Sequence, residues 1–295
     1  VSEPTGGADR ATRPAAVVVN FNAGAHLVAC IRSLRAEGVD RIVVVDNASR
    51  DGSLDAARQA DPEIEVVQTG ANLGFGAAVN RGAALVSGDL LVVNPDAEVE
   101  PGAVKALEAV LEHDSEVGLV GPRIENPDGS LYPSARTFPA VGDALGHAFV
   151  GLVAPRNRYT RRYRMLDWDH AVAARVDWVS GAAFLARRAC FDELGGFDEA
   201  YFMYMEDVDL CWRAQRAGWA VAYEPAARVI HVQGVSTDLM PYRMIATHHR
   251  SLFTFWRRTT PGPGRVVLAP LVLAGLGLRT ALAWAQRLLD GMRRS

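Results

Sequence analysis

Residues 90–121 read LLVVNPDAEVEPGAVKALEAVLEHDSEVGLVG. The apolar run over Asp89–Val93 predicts a buried strand, and Pro101–His113 repeats apolar residues at helical spacing with proline at the first position that helix geometry prefers. Val117–Gly121 is apolar again and predicts the next strand. Strand, helix and strand in this order form a βαβ unit, whose crossover makes the two strands parallel.

The same alternation extends toward the N-terminus. Ala15–Phe21 (AAVVVNF), Arg41–Val45 and Ile64–Gln68 predict strands. Helices are expected from about Ala25 to Glu37, closed by Gly38, from a Ser53 cap to Ala60, and over Gly74–Val86. This pattern implies an α/β fold with a doubly wound, mostly parallel sheet. Toward the C-terminus the order loosens. Residues 133–170 are rich in Pro, Gly and Arg without periodicity, and Arg175–Arg188 reads as strand, turn, strand around Ser180-Gly181. Met205–Ala217 predicts a helix, Trp219–Val232 two short strands broken at Glu224-Pro225, and the chain beyond residue 241 is helical in pattern. Three regions follow: a disordered lead-in over 1–14 without the apolar run of a signal peptide, a globular domain over 15–237, and a basic helical region over 238–295.

Hydrophobic residues make up 49% of the chain and charged residues 22%, which excludes general disorder. The net charge of -3 conceals an asymmetry. Residues 1–143 carry 11 basic and 21 acidic side chains, whereas 144–295 carry 20 basic and 13 acidic. An acidic front suits a cation and a basic rear suits phosphates or anionic lipid, although solvated surface accounts for both. Cys30, Cys190 and Cys211 are too few and too scattered for a disulfide framework or a structural zinc site, and the expected location is the cytoplasm.

In open α/β sheets ligands sit beyond the carboxyl ends of the strands. Those ends carry polar groups in turn here: Asn20 and Asn22, Asp46 and Asn47, Asn72, then Asn94 and Asp96. Asp46 in VVVDNASRDGS (43–53) stands at the sheet rim, where it can accept a pyrimidine N–H. GANLGFGAAVNRG (70–82) places glycines, Gly74 among them, ahead of a helix start that offers N–H groups to a diphosphate. Asn94 and Asp96 resemble half of a divalent cation site, since Mg²⁺ and Mn²⁺ take few protein oxygens and complete their shells with water and phosphate. An Asn-Pro-Asp turn gives the same residues a purely structural reason. FDEAYFMYMEDVDLCWR (197–213) crowds Glu206, Asp207 and Asp209 at a helix start among aromatic side chains. The helix dipole favours acids there, but carboxylates held together in an apolar wall also acquire raised pKa values suited to a general base. His231 ends an apolar strand and could supply imidazole to the cation beside Asp96.

These segments together resemble the inverting glycosyltransferases of family two, which have the GT-A fold, and the resemblance spans about residues 15–237. VVDNASRDGS, NLGFGAAVNRG, NPDAEV, SGAAFLARR, GGFDEAYFMYMEDVDLCWR and the His231 strand stand in the family's order. Within it the chain looks most like the rhamnosyltransferases of actinobacterial cell-wall linker assembly. The resemblance implies transfer of L-rhamnose from dTDP-L-rhamnose to N-acetylglucosaminyl-diphospho-polyprenol, with a UDP-sugar on another acceptor as the alternative. It also implies that Asp46 binds the base, Asn94 faces the ribose, and Asp96 and His231 hold Mn²⁺ or Mg²⁺. Asn20, Asn22, Asn72 and Gly74 would line the donor site, and Asp207 would be the base with Glu206 and Asp209 in support. Asn94 stands where many relatives carry aspartate, leaving the cation one carboxylate fewer.

RNRYTRRYR (156–164) pairs arginines with tyrosines and suits an acceptor diphosphate or lipid headgroup rather than nucleic acid, for which no recognition module is visible, and a plain solvated loop accounts for it equally well. Acceptor contacts are expected at Arg158, Arg161, Trp178 and Tyr204. The tail from Arg257 to Ser295 carries seven arginines and one acid, and its longest uncharged run, Val266–Leu278, is too short to span a bilayer. An amphipathic helix lying on the inner membrane face is expected, with a cap on the domain or a homodimer contact as the alternatives. Two rivals, a nucleotidyltransferase and a non-catalytic nucleotide-sugar-binding module, fit less well. NFNAGAH lacks the basic glycine-rich loop of the former, and the retained acids argue against the latter.

Overall fold

A computed structural model describes residues 13–138, 165, 168–234 and 241–294. The lead-in before Arg13, and Arg158 and Arg161, lie outside the described residues. The first four strands are β1 (Ala15–Asn20), β2 (Ile42–Asp46), β3 (Glu65–Gln68) and β4 (Leu90–Val93). They alternate with α1 (His26–Ala36), α2 (Ser53–Ala60) and α3 (Phe75–Ala83). There follow β5 (Ala97–Val99), α4 (Ala103–His113), β6 (Val117–Glu125), and the short strands β7 (Leu131–Tyr132), β8 (Ala135–Arg136), β9 (Ala174–Arg175) and β10 (Trp178–Val179). β11 (Ala183–Ala186), α5 (Arg188–Glu193), α6 (Glu206–Arg216) and β12 (Ala220–His231) complete the domain. The tail forms α7 (Pro241–Thr259) and α8 (Gly264–Arg294).

The sheet runs β3-β2-β1-β4-β11-β6-β12-β5. Its first four strands are parallel, as the βαβ pattern requires. β11 then inserts antiparallel between β4 and β6, β12 lies parallel to β6, and β5 closes the edge antiparallel to β12. Alternate side chains fill two cores, one on each face. Val17, Val19, Val43, Val45 and Val92 enter the first, and Ala16, Val18, Val44, Leu91 and Val93 the second. Burial on both faces is why these strands read as unbroken apolar runs. Gly82 lets α3 approach closely, since a Cβ there would stand 2.7 Å from Val17 Cγ1 and 2.9 Å from Val45 Cγ2.

Four expectations are corrected. Gly52, with φ 79°, occupies the cap position of α2, and Ser53 is its first helical residue. The Asp51 carboxylate accepts from Ser53 N at 3.1 Å and does the capping. α4 starts at Ala103 rather than Pro101, because Glu37, which ends α1 as its C-cap, accepts from Gly102 N at 2.8 Å and Val104 N at 3.0 Å and so supplies its cap. β12 is one strand; Pro225 is absorbed by a register shift against β6 between Glu224 and Arg228. The tail helix is long and apolar enough to cross a membrane by length and composition. Gly264–Ala285 spans 22 residues at mean hydropathy 1.9 with none of it buried, interrupted by Arg265 and Arg279 only.

Candidate functional site

At the carboxyl end of β1 the Asn20 side-chain nitrogen lies 2.8 Å from Asp46 Oδ1, 3.0 Å from Ser49 Oγ and 2.9 Å from Ser53 Oγ. Ser49 N donates to Asp46 Oδ2 at 3.1 Å, and the Asp46 carboxylate is buried. Both its oxygens therefore organise the loop after β2, and any contact with a base must use their remaining lone pairs. Asn22, at φ 52°, accepts from Arg50 N at 2.8 Å and donates its own N–H to Ser49 Oγ at 3.0 Å, pinning the same loop. Asn47, which the sequence placed at the rim without a role, donates to Gly74 O at 3.0 Å and ties this loop to the start of α3.

Asn72 accepts from Gly74 N at 3.0 Å, a local turn that sets the entry to α3. Gly74 has φ 88°, and a Cβ on it would fall 2.1 Å from Phe202 O, so glycine is needed for this close approach. Phe75 N donates to that same carbonyl at 3.0 Å, joining the glycine loop to the segment that carries the acids.

The end of β4 meets the acids through one short loop. Asn94 N donates to Ala182 O at 2.8 Å, and the preceding Gly181 N donates to Asp207 Oδ2 at 2.9 Å. Asp96 Oδ1 lies 3.1 Å from His231 Nε2, and the Asn94 side-chain nitrogen lies 3.4 Å from that same ring atom. Both Asp96 and His231 are buried; Asp96 immediately precedes β5 and His231 ends β12, which the pairing His231↔Ala97 brings together. A cation taking both atoms would move the ring proton to Nδ1, which is buried without a partner among the described residues. Among those residues no cluster of three acid, His or Cys ligands exists.

Asp207 also accepts from Val208 N at 2.9 Å at the start of α6. Burial raises its pKa against the lowering effect of the Gly181 and Val208 amides and the Arg136 charge. Glu206 is pushed well above the ordinary carboxylate range by burial and then by the charge of Asp207, and its Oε2 has no partner among the described residues. The folded state therefore holds a proton here that the unfolded chain releases near the ordinary value of 4.5, so stability falls as pH rises from that value through the raised folded one. Glu206→Gln removes this penalty. We expect it to raise the melting temperature at pH 8 by a few degrees, with little change at pH 5. Parallel melting curves across pH would show that Glu206 ionises without cost.

Asp209 is turned away from the other two acids. It is buried and takes Arg213 Nε at 2.7 Å and Tyr201 Oη at 3.2 Å, a structural ion-pair hub. Tyr204 and Met205, just before the acids, both have left-handed backbone, φ 66° and 67°. Such non-glycine geometry is costly, and the surroundings must hold it. α7 does so: Ser251 Oγ donates to Met203 O at 2.8 Å, His248 meets the edge of Tyr204, Phe255 packs buried against Trp212, and Arg258 pairs with Asp198. Trp178, expected as an acceptor platform, is only 5% exposed. Its indole donates to Thr137 O at 2.9 Å, and Arg136 covers its ring at 4.9 Å, so it presents no open face to a sugar. Arg136 was not singled out in the sequence, where one arginine in an aperiodic stretch carries no signal.

Comparison with known proteins bears on this arrangement. Residues 12–248 match the model of "Glycosyltransferase like family 2". The chain is 38% identical over 292 residues to the N-acetylglucosaminyl-diphospho-decaprenol L-rhamnosyltransferase of Mycobacterium tuberculosis, covering 94% of this chain and 95% of that one. A rhamnosyltransferase of Escherichia coli (strain K12) is 37% identical over 125 residues, 42% of this chain and 44% of the other. Among solved structures, a mannosyltransferase from Pyrobaculum calidifontis in complex with GDP-Man and Mn²⁺ superposes with TM-score 0.57 at 16% identity, over 96% of this chain and 79% of that one. GalNAc-T7 with UDP, GalNAc and Mn²⁺ gives TM-score 0.58 at 16% identity, over 83% and 48%. At such identities the likeness is one of fold, and that fold is GT-A.

Proposed function

The chain belongs to glycosyltransferase-like family 2, and from that premise we propose that it transfers L-rhamnose from dTDP-L-rhamnose to N-acetylglucosaminyl-diphospho-polyprenol, inverting the anomeric carbon. The near full-length likeness to the mycobacterial rhamnosyltransferase supports the substrates. The observation that carries the chemistry is the Gly181-Ala182 junction, which joins the Asn94–Asp96 rim to Asp207.

In this reading the thymine sits over the Asn20–Asp46 loop, and the diphosphate lies near Asn94, Asp96 and His231. Asp96 Oδ1 and His231 Nε2, 3.1 Å apart, are the residues that would hold a divalent cation. A Mn²⁺ or Mg²⁺ ion held there would neutralise charge on the departing diphosphate. Asp207 accepts the proton of the acceptor hydroxyl as that oxygen attacks the anomeric carbon. The Gly181 and Val208 amides hold the carboxylate in place, and burial gives it the basicity the step needs. The C–O bond to the diphosphate breaks as the new one forms, with oxocarbenium character at the sugar.

The test is transfer of labelled sugar to a lipid-linked N-acetylglucosaminyl diphosphate with Mn²⁺ or Mg²⁺ present. We expect product from dTDP-rhamnose and none from UDP-galactose, UDP-N-acetylglucosamine or GDP-mannose. Product from a UDP-sugar instead would overturn the rhamnose assignment and keep the transferase.

The acceptor's lipid places the reaction at a membrane, and α8 supplies the contact. Val266, Val267 and Leu271 stand at least 70% exposed beside Arg265, apolar surface next to positive charge. We expect Val267→Asp with Leu271→Asp to abolish flotation on anionic vesicles without affecting the fold. Undiminished flotation would remove α8 from this role, and carbonate extraction of membranes separates a helix that lies on the bilayer from one that crosses it.

A further inference from the structure

Arg136 is a cation on the β8–β10 strand pair, and β10 leads into the loop whose Gly181 amide meets Asp207. The β8–β10 register pairs it with Trp178, and its guanidinium lies 4.9 Å from the Trp178 ring centre and 5.5 Å from that of Tyr132. Its Nε donates to Pro133 O at 2.8 Å and one terminal nitrogen to Tyr132 Oη at 3.2 Å. On one side of this group Trp178 leads along the chain to Gly181, whose N–H donates to Asp207 Oδ2 at 2.9 Å. On the other, the Tyr132 ring meets the edge of His231 at 6.3 Å, and His231 meets Asp96. The rim thus runs from Asp96 and His231 through Tyr132 and Arg136 to Asp207.

That placement has an electrostatic consequence. Asp96 and Asp207 place two carboxylates where, on the reading above, a sugar diphosphate must come. A guanidinium held by aromatic faces is weakly hydrated and presents a planar donor set matched to phosphate oxygens. We infer that Arg136 binds a diphosphate between the Asp96–His231 pair and Asp207. It touches the phosphate oxygens of the donor or of the lipid acceptor, two sources of one chemistry. Trp178 and Tyr132 position it. The inference rests on the transferase reading and extends it by a phosphate-binding residue.

Arg136→Met tests it in the full-length protein. We expect either the dissociation constant of dTDP, measured by calorimetry with Mn²⁺, or the KM of the lipid diphosphate acceptor to rise about tenfold to hundredfold. The first identifies the donor's diphosphate and the second the acceptor's. The KM of an alkyl N-acetylglucosaminide, which carries no phosphate, should not change. Arg136→Lys keeps the charge but loses the planar donor set, and should show a smaller rise at an unchanged melting temperature. It decides the matter if the methionine variant does not fold. Wild-type values of both constants in a folded variant would overturn the inference while leaving the transferase intact. A wild-type protein that neither binds dTDP nor transfers sugar would overturn the transferase reading, and this one with it.

Discussion

Asp207→Asn is expected to lower the rate of transfer about 10²–10⁴-fold, the span that positioned proton transfer contributes. The substitution is nearly isosteric. Asparagine can still accept from one of the two amides, Gly181 N or Val208 N, that fix the carboxylate. The fold and the donor rim should survive, and calorimetry should give dTDP binding within a few-fold of wild type. pH adds a second reading. Burial raises the pKa of Asp207, so the base is protonated, and kcat falls, as pH drops through a value above the ordinary 3.8. In the asparagine variant that acid limb should be absent from the residual activity. Turnover near the wild-type level would sink the assignment of Asp207 as base. A tight loss of dTDP binding would show instead that the segment had moved.

Asp96→Ala should act on the donor side. It removes one of the two groups proposed to hold the cation and leaves His231 Nε2 without its partner at 3.1 Å. Loss of an outer-shell partner alone weakens metal binding about 10–100-fold, and loss of a ligand should cost at least that. Mn²⁺ binding in the presence of dTDP, followed by the paramagnetic signal of the free ion, measures this directly. Activity should fall in step and recover in part at high Mn²⁺ concentration. His231→Ala should behave alike, since the pair is one unit. Wild-type Mn²⁺ dependence in both variants would mean that Asp96 and His231 pair only with each other.

The sequence made much of the parallel half legible. AAVVVNF, the run before Asp46 and LLVVNP are buried on both faces, so their apolar continuity is a direct record of position in the sheet. The mixed half was legible only in pieces. β11 joins strands far apart in the chain, and β12 looks broken because the local signal of Glu224-Pro225 outweighs a pairing with β6 that no local pattern records. The same division holds in the site. Asn94, Asp96 and the acids announce themselves as polar groups at the ends of apolar runs. The parts played by Asn47, Gly181 and Arg136 were not legible, because each acts through a partner remote in sequence: Gly74, Asp207 and Trp178.

By itself, then, the sequence determined the sheet's parallel strands, the polar rim at their carboxyl ends and the family resemblance, all of which follow from local periodicity and ordered motifs. Only the tertiary structure decided which acids face which partner. Asp209 stands two residues from Asp207, yet α6 turns it toward Arg213 and Tyr201, where its charge is fully paired, while Asp207 meets the Gly181 amide across the loop from β4. Tertiary structure likewise decided that Trp178 is a buried support for Arg136 and that α7 holds the left-handed Tyr204 and Met205 before the acid pair. A side chain's pKa and reach depend on what is packed against it, and packing is a property of residues distant in the chain.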